Sequence, residues 1–286
     1  MKLLVFGKTG QVARELARAP LAGDEAMFLG RSEADLRDAA ACAAIVNNSD
    51  ADAVINAAAF TAVDRAETEE AEAFRINADA AGAIARACAA RAIPLLHLST
   101  DYVFDGAGSD AFSPDHPRAP LNAYGRSKCR GEDAVRESGA RHLILRTSWI
   151  FSVHGHNFLK TMLRLGRKHA VLRIVSDQLG GPTPAPAIAA ALLAAAKAMC
   201  GGHAGGTHHF SGTPDVSWAA FARAIMDEAG FSCRIEDIAS ADYPVAARRP
   251  LNSRLDCSSL EQAFGIARPG WRDALHDMLQ ELETGN

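Results

Sequence analysis

The sequence lacks several features that would each assign the protein to a broad class. No apolar run approaches the roughly 20 residues of a membrane span. The net charge of −4 is spread along the chain, which argues against a nucleic acid or an anionic membrane as the main partner. The N-terminus MKLLVFGKTGQ turns into a glycine loop after a short apolar run, so it predicts a first strand rather than a signal peptide.

Cysteine pairs and recognisable metal-ligand spacings are absent as well. The 6 cysteines are far apart and form no CxxC pair, which is typical of reduced thiols in a cytosolic protein. The HGH and HH pairs, at His154, His156, His208 and His209, have neither HExxH spacing nor a neighbouring cysteine pair. We therefore expect surface or core histidines there, no metal site and a cytoplasmic location.

The segments that are present alternate between strand-like and helix-like patterns. Short apolar runs predict five strands, at KLLVF, EAMFLG, DAVINAAA, IPLLHLST and HLILRTSWIF, and the stretches between them have helical spacing. One of these helices is long and alanine-rich, and we expect it to pack closely on a sheet at Gly82. The alternation predicts an α/β fold with a Rossmann-type, doubly wound parallel sheet.

The alternation loosens after about Ile150. Four segments from NFLKTMLRLGRK to WRDALHDMLQEL predict helices, one of them N-capped by Ser217, and AVLRIV, GTHHF and CRIEDI predict strands. We expect residues 1–150 to form the doubly wound core. Residues 151–286 should form mainly a smaller C-terminal lobe that binds the substrate, with some segments returning to the core.

A glycine loop follows the first strand, with Gly7, Gly10 and Ala13 in a G-x-x-G-x-x-A pattern. A tight turn at this point lets backbone N–H groups at a helix N-terminus face a pyrophosphate. The pattern alone is weak, but its place in the first βα unit favours dinucleotide binding over a purely structural turn. Residues 1–150 are therefore predicted to be an NAD(P)-binding core.

The end of the second strand bears on which dinucleotide is bound. An acidic residue there would bind the adenosine ribose 2′-hydroxyl, whereas an arginine can meet a 2′-phosphate. The sequence has Gly30 and Arg31 at this point, which favours NADPH, with NADH as the alternative; Arg31 could also be a solvated loop residue. Asp35 suits contact with the adenine edge, or could cap the next helix.

A tyrosine and a lysine lie four residues apart in YGRSK, at Tyr124 and Lys128, and share a face of a predicted helix. A nearby ammonium lowers the pKa of a tyrosine, which is otherwise about 10. The pair could deliver a proton to a carbonyl oxygen while hydride arrives at the carbon. Y-x-x-x-K is a frequent coincidence, but Ser99, Thr100 and Asp101 of STDY emerge at the same sheet edge.

These motifs together resemble the extended short-chain dehydrogenase/reductase family, and within it the reductases of 4-keto-deoxysugar nucleotides. The resemblance runs nearly end to end. GKTGQV, NAAAFTAVDRAE, STDYVFDG, YGRSK and RTSWIF are shared with many sugar-nucleotide enzymes, whereas SDQLGGPT and RRPLNSRL are more particular to these reductases. The resemblance implies reduction, with NAD(P)H, of the C4 keto group of a dTDP-linked 6-deoxyhexulose.

The resemblance also implies roles for individual residues. Tyr124 would donate the proton, Lys128 would lower the pKa of Tyr124 and bind the nicotinamide ribose, and Thr100 would complete the catalytic triad. The residues predicted to contact the cofactor are Gly7, Gly10, Gln11, Val12, Arg31, Asp35, Leu36, Ala59, Phe60 and Thr61, with Tyr124 and Lys128. Those predicted to contact the substrate are Thr100, Asp101, Trp149, Arg249 and Asn252, although Trp149 could be core and the RRPLNS loop structural.

Two departures from the family pattern bear on these expectations. Ala13 stands where members often have a third glycine that serves helix–strand packing, so alanine costs little. Some members carry a glutamate in the region of Pro182 to Ala190 that helps bind a divalent metal at a dimer interface. This sequence has none there, although Glu15 and Glu281 remain, so we expect a monomer or a homodimer and doubt a metal bridge.

Alternatives to the reductase stay open at this point. An epimerase or a dehydratase of the same superfamily would share the fold, although a dehydratase should place more acidic residues beside the threonine, where STDY has only Asp101. A non-catalytic regulatory subunit could also use this fold, but the presence of Thr100, Tyr124 and Lys128 favours catalysis. The Gly/Pro-rich stretch DGAGSDAFSPDHPRAP could be a lid or an ordinary surface loop.

Overall fold

A computed structural model describes residues 1–20 and 23–284, so the last two residues of the predicted C-terminal lobe lie outside the described residues. The strands are β1 (Lys2–Phe6), β2 (Glu25–Leu29), β3 (Ala53–Asn56), β4 (Leu95–Thr100), β5 (His142–Thr147), β6 (Ile150–Phe151), β7 (Val171–Val175), β8 (Leu179–Gly180), β9 (Thr183–Pro184), β10 (Gly206–His209), β11 (Val216–Ser217), β12 (Arg234–Ile238) and β13 (Asn252–Ser253). The helices are α1 (Gln11–Arg18), α2 (Ala39–Asn48), α3 (Val63–Ala66), α4 (Glu70–Phe74), α5 (Ala80–Ala90), α6 (Ala123–Glu137), α7 (Phe158–Gly166), α8 (Ala185–Cys200), α9 (Trp218–Glu228), α10 (Ser258–Phe264) and α11 (Trp271–Thr284).

Six parallel strands form the central sheet in the order β10-β5-β4-β3-β1-β2. Successive strand side chains point to opposite faces, and both sets are apolar because helices cover both faces. Leu4 and Val54 face α2, α5 and α6, whereas Leu3 and Ile55 face α1 and α8. The predicted doubly wound α/β fold is confirmed.

The long alanine-rich helix differs from its prediction in two ways. It is interrupted by a π-helical turn over Arg75–Asp79, between α4 and α5. Gly82 packs on a helix rather than on the sheet, since a Cβ there would lie 2.9 Å from the Cβ of Ala134 in α6. The small side chain therefore brings α5 and α6 close together, and α6 carries Tyr124 and Lys128.

The second half of the chain contributes to both parts of the molecule. The predicted GTHHF strand is β10, which extends the central sheet beside β5, and α8 covers one of its faces. The parallel pair β7 and β12 packs with α7, α9 and α11 around Phe151, Phe221 and Trp271, which are fully buried. Ser217 caps α9 as predicted, by accepting the N–H of Ala220 at 3.0 Å.

Three short pairings bring distant motifs to the end of the fifth strand. The predicted run HLILRTSWIF is two strands, because the chain turns between β5 and β6. β6 pairs with β9, and β8 pairs with β11 and β13, so the SDQLGGPT and RRPLNSRL segments meet next to Trp149. Among the described helices, none has both the length and the apolar composition needed to cross a membrane.

Candidate active site

A cleft of about 540 Å³ opens at the carboxyl ends of β1, β2, β3 and β4. Ligands bind at this edge of open α/β sheets. Eleven of the predicted residues line it: Gly7, Gly10, Gln11, Val12, Arg31, Asp35, Leu36, Ala59, Thr61, Tyr124 and Lys128. The predicted residues that are not among its lining residues are Phe60, Thr100, Asp101, Trp149, Arg249 and Asn252.

The glycine turn has the geometry of an anion-binding site. Gly7 has φ +123°, a conformation that favours glycine, and a Cβ there would lie 3.3 Å from the backbone of Ala57. Gly10 precedes α1, and no side chain caps this helix N-terminus. Its first N–H groups are therefore available to a phosphate group in the cleft.

The side chain of Gln11 has a structural use. Its Oε1 accepts hydrogen bonds from the Ser152 hydroxyl at 3.1 Å and from the Asn157 amide at 2.9 Å. These bonds tie α1 to the segment that follows β6. The Nε2 of Gln11 also donates to the carbonyl of Ile150 at 3.5 Å, so the whole side-chain amide faces this segment while the backbone N–H stays at the helix N-terminus.

The rim of the cleft after β2 carries both charges that the sequence singled out. Arg31 is exposed. The hydrogen bonds from Arg37 hold the pKa of Asp35 at about 2, well below its usual range. Asp35 does not cap α2, because Asp38 accepts the N–H of Ala41 at 2.9 Å instead, so the capping alternative for Asp35 is wrong.

Tyr124 lies at the start of α6, whose N-terminus is fixed by Asn122 accepting the N–H of Gly125 at 2.8 Å. The tyrosine ring is half-buried and packs edge-on against Tyr102, with 5.7 Å between ring centroids. Burial raises the pKa of Tyr124 to about 12, although its interaction with the Thr100 hydroxyl acts in the opposite direction. The hydroxyl is thus a proton donor, not a phenolate.

The predicted effect of Lys128 on Tyr124 is wrong for the protein chain on its own. The Nζ of Lys128 donates to the carbonyl of Leu98 at 2.7 Å and lies 3.3 Å from Nε2 of His97. Burial lowers the pKa of Lys128 to about 8, which Glu132 partly opposes. The Nζ is thus held by strand β4, and burial, not Lys128, governs the pKa of Tyr124.

Thr100 and Asp101 lie just beyond the cleft, where β4 ends. The Thr100 hydroxyl donates to Asp101 Oδ1 at 3.0 Å and accepts the N–H of Tyr102 at 3.2 Å. Asp101 is 3% exposed and its Oδ2 has no hydrogen-bond partner within the described residues. Burial raises the pKa of Asp101 to about 6, and the interactions of this carboxyl group with the side chains of Ser253 and Thr100 partly oppose that rise.

Trp149 has an unusual backbone and a stacked ring. Its φ of +48° is rare for a residue other than glycine, and such strain is found mostly at functional positions. The ring stacks on Trp218 with 3.6 Å between centroids, and a Cβ on Gly180 would touch it. The half-buried ring is therefore held in place by neighbours, without being part of the core.

The two predicted residues of the RRPLNS segment have internal partners. Arg249 forms an ion pair with Asp64 at 2.7 Å, which ties the segment to α3. Asn252 is 2% exposed, and its amide donates to the carbonyl of Asp110 at 2.7 Å while its oxygen accepts from Arg254. Asn252 thus connects β13 to the stretch after Gly106.

Other predicted residues are also accounted for. Phe60 is 6% exposed, with the Arg65 guanidinium 4.9 Å from its ring centroid. In the segment after Gly106, Phe112 stacks on Phe104 and pairs with Leu255, so the segment is packed down at this point. No group of three or more potential metal-ligand side chains occurs in the part of the chain that the structure describes.

Two glutamates named in connection with a metal have another partner. Glu281 forms an ion pair with Arg18 at 2.9 Å, and Glu15 lies 3.7 Å from the same guanidinium. Burial raises the pKa of Glu15, which Arg18 partly opposes. The positive charge next to both carboxylates is therefore the guanidinium of Arg18.

The chain is similar to known proteins along nearly its whole length. The model of the RmlD substrate binding domain family matches residues 1–284. The chain belongs to this family. A dTDP-4-dehydrorhamnose reductase of Sinorhizobium fredii is 42% identical over 99% of this chain and 98% of its own. The predicted family resemblance is therefore confirmed.

Solved structures of similar proteins have the same fold. A dTDP-4-dehydrorhamnose reductase from Clostridium acetobutylicum superposes with a TM-score of 0.93 at 31% identity, covering 99% of this chain and 100% of that one. The Bacillus anthracis reductase, in complex with NADP, has a TM-score of 0.90 at 30% identity, with coverage of 98% and 99%.

Several lining residues were not predicted from the sequence. They are Lys8, Thr9, Gly30, Ala57, Ala58, Ser99, Thr147, Ile150, Gly155 and His156, with apolar neighbours. His156 belongs to the HGH pair, which carried no metal signal and was assigned to the surface or the core. A signal for most of the others existed, since they directly adjoin the glycine turn or the strand ends.

Proposed function

We propose that the protein reduces the C4 keto group of dTDP-6-deoxy-L-lyxo-4-hexulose, or dTDP-4-dehydrorhamnose, with NADPH to give dTDP-L-rhamnose. The observation that carries this proposal is that Tyr124 and Lys128 line the same cleft as the uncapped Gly7–Gly10 turn. The Sinorhizobium fredii relative is named for this activity, and the Bacillus anthracis structure holds NADP. NADH is the alternative cofactor.

A dinucleotide would lie along the cleft. The N-terminus of α1 would bind the pyrophosphate through backbone N–H groups, and Arg31 would meet a 2′-phosphate. Ala59 and Thr61 would flank the nicotinamide half, where Lys128 would bind the ribose. NADPH, when bound there, supplies the hydride that the C4 carbon receives.

The protein itself supplies the proton and the alignment. Tyr124 would donate its hydroxyl proton to the C4 oxygen, because its raised pKa keeps it protonated at neutral pH. Thr100 would hold the same oxygen, and Asp101, which is hydrogen-bonded to Thr100, would contact the sugar. Trp149, fixed on Trp218, would cover the sugar ring. Fixed geometry of this kind contributes several kcal/mol to catalysis.

The test is to follow the absorbance of the reduced nicotinamide after dTDP-4-dehydrorhamnose is added to enzyme and NADPH. We expect stoichiometric loss of NADPH with dTDP-L-rhamnose formed, and no loss with dTDP-glucose, which has no keto group. The same reactions with NADH establish cofactor preference. Tight NADPH binding without consumption would contradict the proposal and favour an epimerase or a regulatory subunit.

Cellular location and assembly are further parts of the proposal. We propose a cytoplasmic protein, a location supported by six cysteines that are all free thiols. We propose a monomer or a homodimer that needs no metal bridge, because Arg18 lies between Glu15 and Glu281. Activity that survives prolonged treatment with EDTA, with unchanged mass by light scattering, is the expected result.

A further inference from the structure

Two buried polar side chains beneath the cleft have no part in the reaction proposed above. Asn56 ends β3 and His97 lies in β4, and the parallel register makes them direct neighbours. Each is 1% exposed. Asn56 Nδ2 lies 3.2 Å from His97 Nδ1, and His97 Nε2 lies 3.3 Å from Nζ of Lys128. The three side chains form a hydrogen-bonded row that ends at the cleft.

The direction of these hydrogen bonds follows from the backbone. The Oδ1 of Asn56 accepts the N–H of Ala58 at 3.3 Å, so the oxygen of the amide must face that donor. The amide NH₂ then faces His97, and Nδ1 of His97 has to accept. A neutral imidazole that accepts at Nδ1 carries its hydrogen on Nε2. His97 therefore presents an N–H to Lys128.

An N–H that points at Lys128 stabilises the neutral amine form of its side chain and destabilises the ammonium form. A neutral Nζ has a lone pair that accepts the hydrogen of His97 Nε2 while it donates to Leu98, whereas an ammonium has only donors. To accept from an ammonium, His97 would have to move its hydrogen to Nδ1, where it would meet the NH₂ of Asn56. Protonation of Lys128 is thus coupled to a distant amide.

We propose that Asn56 and His97 are positioning residues that oppose protonation of Lys128 by holding His97 in its Nε2–H tautomer. Lys128 then gains and loses its proton in the working range of pH, instead of being a permanent cation. The inference rests on the proposed function for the role of the ammonium form, which binds the nicotinamide ribose. Turnover should consequently fall on the alkaline side as Lys128 loses its proton.

Other charges face this row and act in known directions. Burial lowers the pKa of His97 well below its usual value, and Lys128 and His142 act the same way, so the imidazole stays neutral. Glu132, in the next turn of α6, acts in the opposite direction and raises the pKa of both His97 and Lys128. Tyr124, one turn earlier in α6, lines the same cleft as Lys128. None of these groups fixes the tautomer, which the hydrogen bonds to Asn56 decide.

The tautomer can be read directly on the wild-type enzyme by ¹⁵N NMR of labelled histidine. The spectrum is taken about 1.5 pH units above the pKa of Lys128, where the amine is neutral. The His97 signals are identified by their absence from a His97→Gln variant. We expect a protonated Nε2 and an unprotonated Nδ1. A protonated Nδ1 would overturn the proposal, whether or not the enzyme reduces the sugar.

Variants test the consequence for activity. In Asn56→Asp the new carboxylate can still accept the N–H of Ala58. Because it can also accept from Nδ1 of His97, it favours the tautomer with the hydrogen on Nδ1. The Nε2 of His97 can then accept a hydrogen bond from the ammonium of Lys128. The alkaline limb of the kcat profile should move up by about one to two pH units. A merely structural role would lower kcat at every pH and leave the limb in place, which would count against the proposal.

A double-mutant cycle separates the tautomer from simple charge. The aspartate is also introduced into the His97→Gln variant, whose amide has no tautomer to switch. The shift of the alkaline limb should be much smaller in that background. An equal shift in both backgrounds would mean that the added negative charge acts through space alone, and would overturn the role assigned to His97.

Discussion

Helix α6 holds two buried ionisable side chains one turn apart, and their surroundings differ. The Glu132 carboxylate accepts from the Ser99 hydroxyl at 2.6 Å and from the Arg146 guanidinium at 2.7 and 2.8 Å. The Nζ of Lys128 instead meets a carbonyl and an imidazole, and no carboxylate pairs with it in the described residues. One charge is compensated and the other is not.

The pKa values reflect this difference. Burial alone raises the pKa of Glu132, but the hydrogen bonds and charge of Arg146 outweigh it and bring the value to about 2. At Lys128 burial prevails and lowers the pKa to about 8. A fully paired buried ion belongs to the framework, whereas an uncompensated one at a cleft is typical of a functional site.

The largest expected effect is on turnover, at Tyr124, one turn before the uncompensated Lys128 in α6. Tyr124→Phe keeps the ring that packs on Tyr102 but removes the proton donor. Turnover should fall by about 10²–10⁴-fold, the usual contribution of general acid catalysis, while the dissociation constant for NADPH stays close to that of the wild type. Steady-state kinetics and fluorescence titration measure the two quantities. Near-normal turnover would remove Tyr124 as the donor.

Removing a partner of the compensated Glu132 should instead lower the stability of the fold. Arg146→Met leaves the buried carboxylate of Glu132 without its main partner, which should cost about 3–5 kcal/mol of unfolding free energy. Arg136→Met is the matched control, because Arg136 binds the same carboxylate from a more exposed position and should cost about 0–1 kcal/mol. Urea unfolding measures both. Equal losses would contradict the assignment of Glu132 as a framework ion.

Glu132 and Lys128 should also make the stability of the fold depend on pH in different ranges. Glu132 has a lowered pKa when folded, so its contribution is complete above about pH 4.5 and is lost as the pH falls toward 2, amounting to about 3 kcal/mol. Between pH 5 and 3.5, urea unfolding should therefore show a steeper loss of stability for the wild type than for Glu132→Gln. Parallel curves would place the pKa of Glu132 near its unfolded value.

Lys128 should act on the alkaline side. Between about pH 8 and 10.5 the unfolded chain binds more protons than the folded one, so stability should rise by about 3 kcal/mol because of Lys128. Urea unfolding of Lys128→Met should lack this rise. A rise of the same size in the variant would mean that Lys128 titrates normally in the folded protein.

The contrast between Lys128 and Glu132 also shows what the sequence could predict. The strands, the glycine turn and the Tyr124–Lys128 pair follow from local patterns, because spacing and turn residues are read within a few positions. Lys128 could be placed on the correct face of a helix. Its state could not, because it depends on Asn56 and His97, which only the pairing of β3 and β4 brings into contact.

Several predictions that relied on a residue's surroundings failed. Gly82 was expected against the sheet, but it packs on α6 because the helices lie side by side there. Asp35 was considered as a cap, but Asp38 directly precedes α2 and accepts the N–H of Ala41. The pKa of Tyr124 was expected to fall, and burial raises it. Packing and desolvation are decided by residues distant in sequence.

The smallest expected effect concerns a third kind of charge, the exposed Arg31 at the rim of the cleft. Arg31→Ala should weaken NADPH binding by about 10–100-fold, the value of one or two hydrogen bonds to a charged phosphate. NADH, which lacks that phosphate, should bind as before. Lys8→Ala is the matched control, since Lys8 lines the same rim but is paired with Glu33 at 3.2 Å. Equal losses for both cofactors would make Arg31 a solvated loop residue, and the choice of cofactor would then have to come from elsewhere in the cleft.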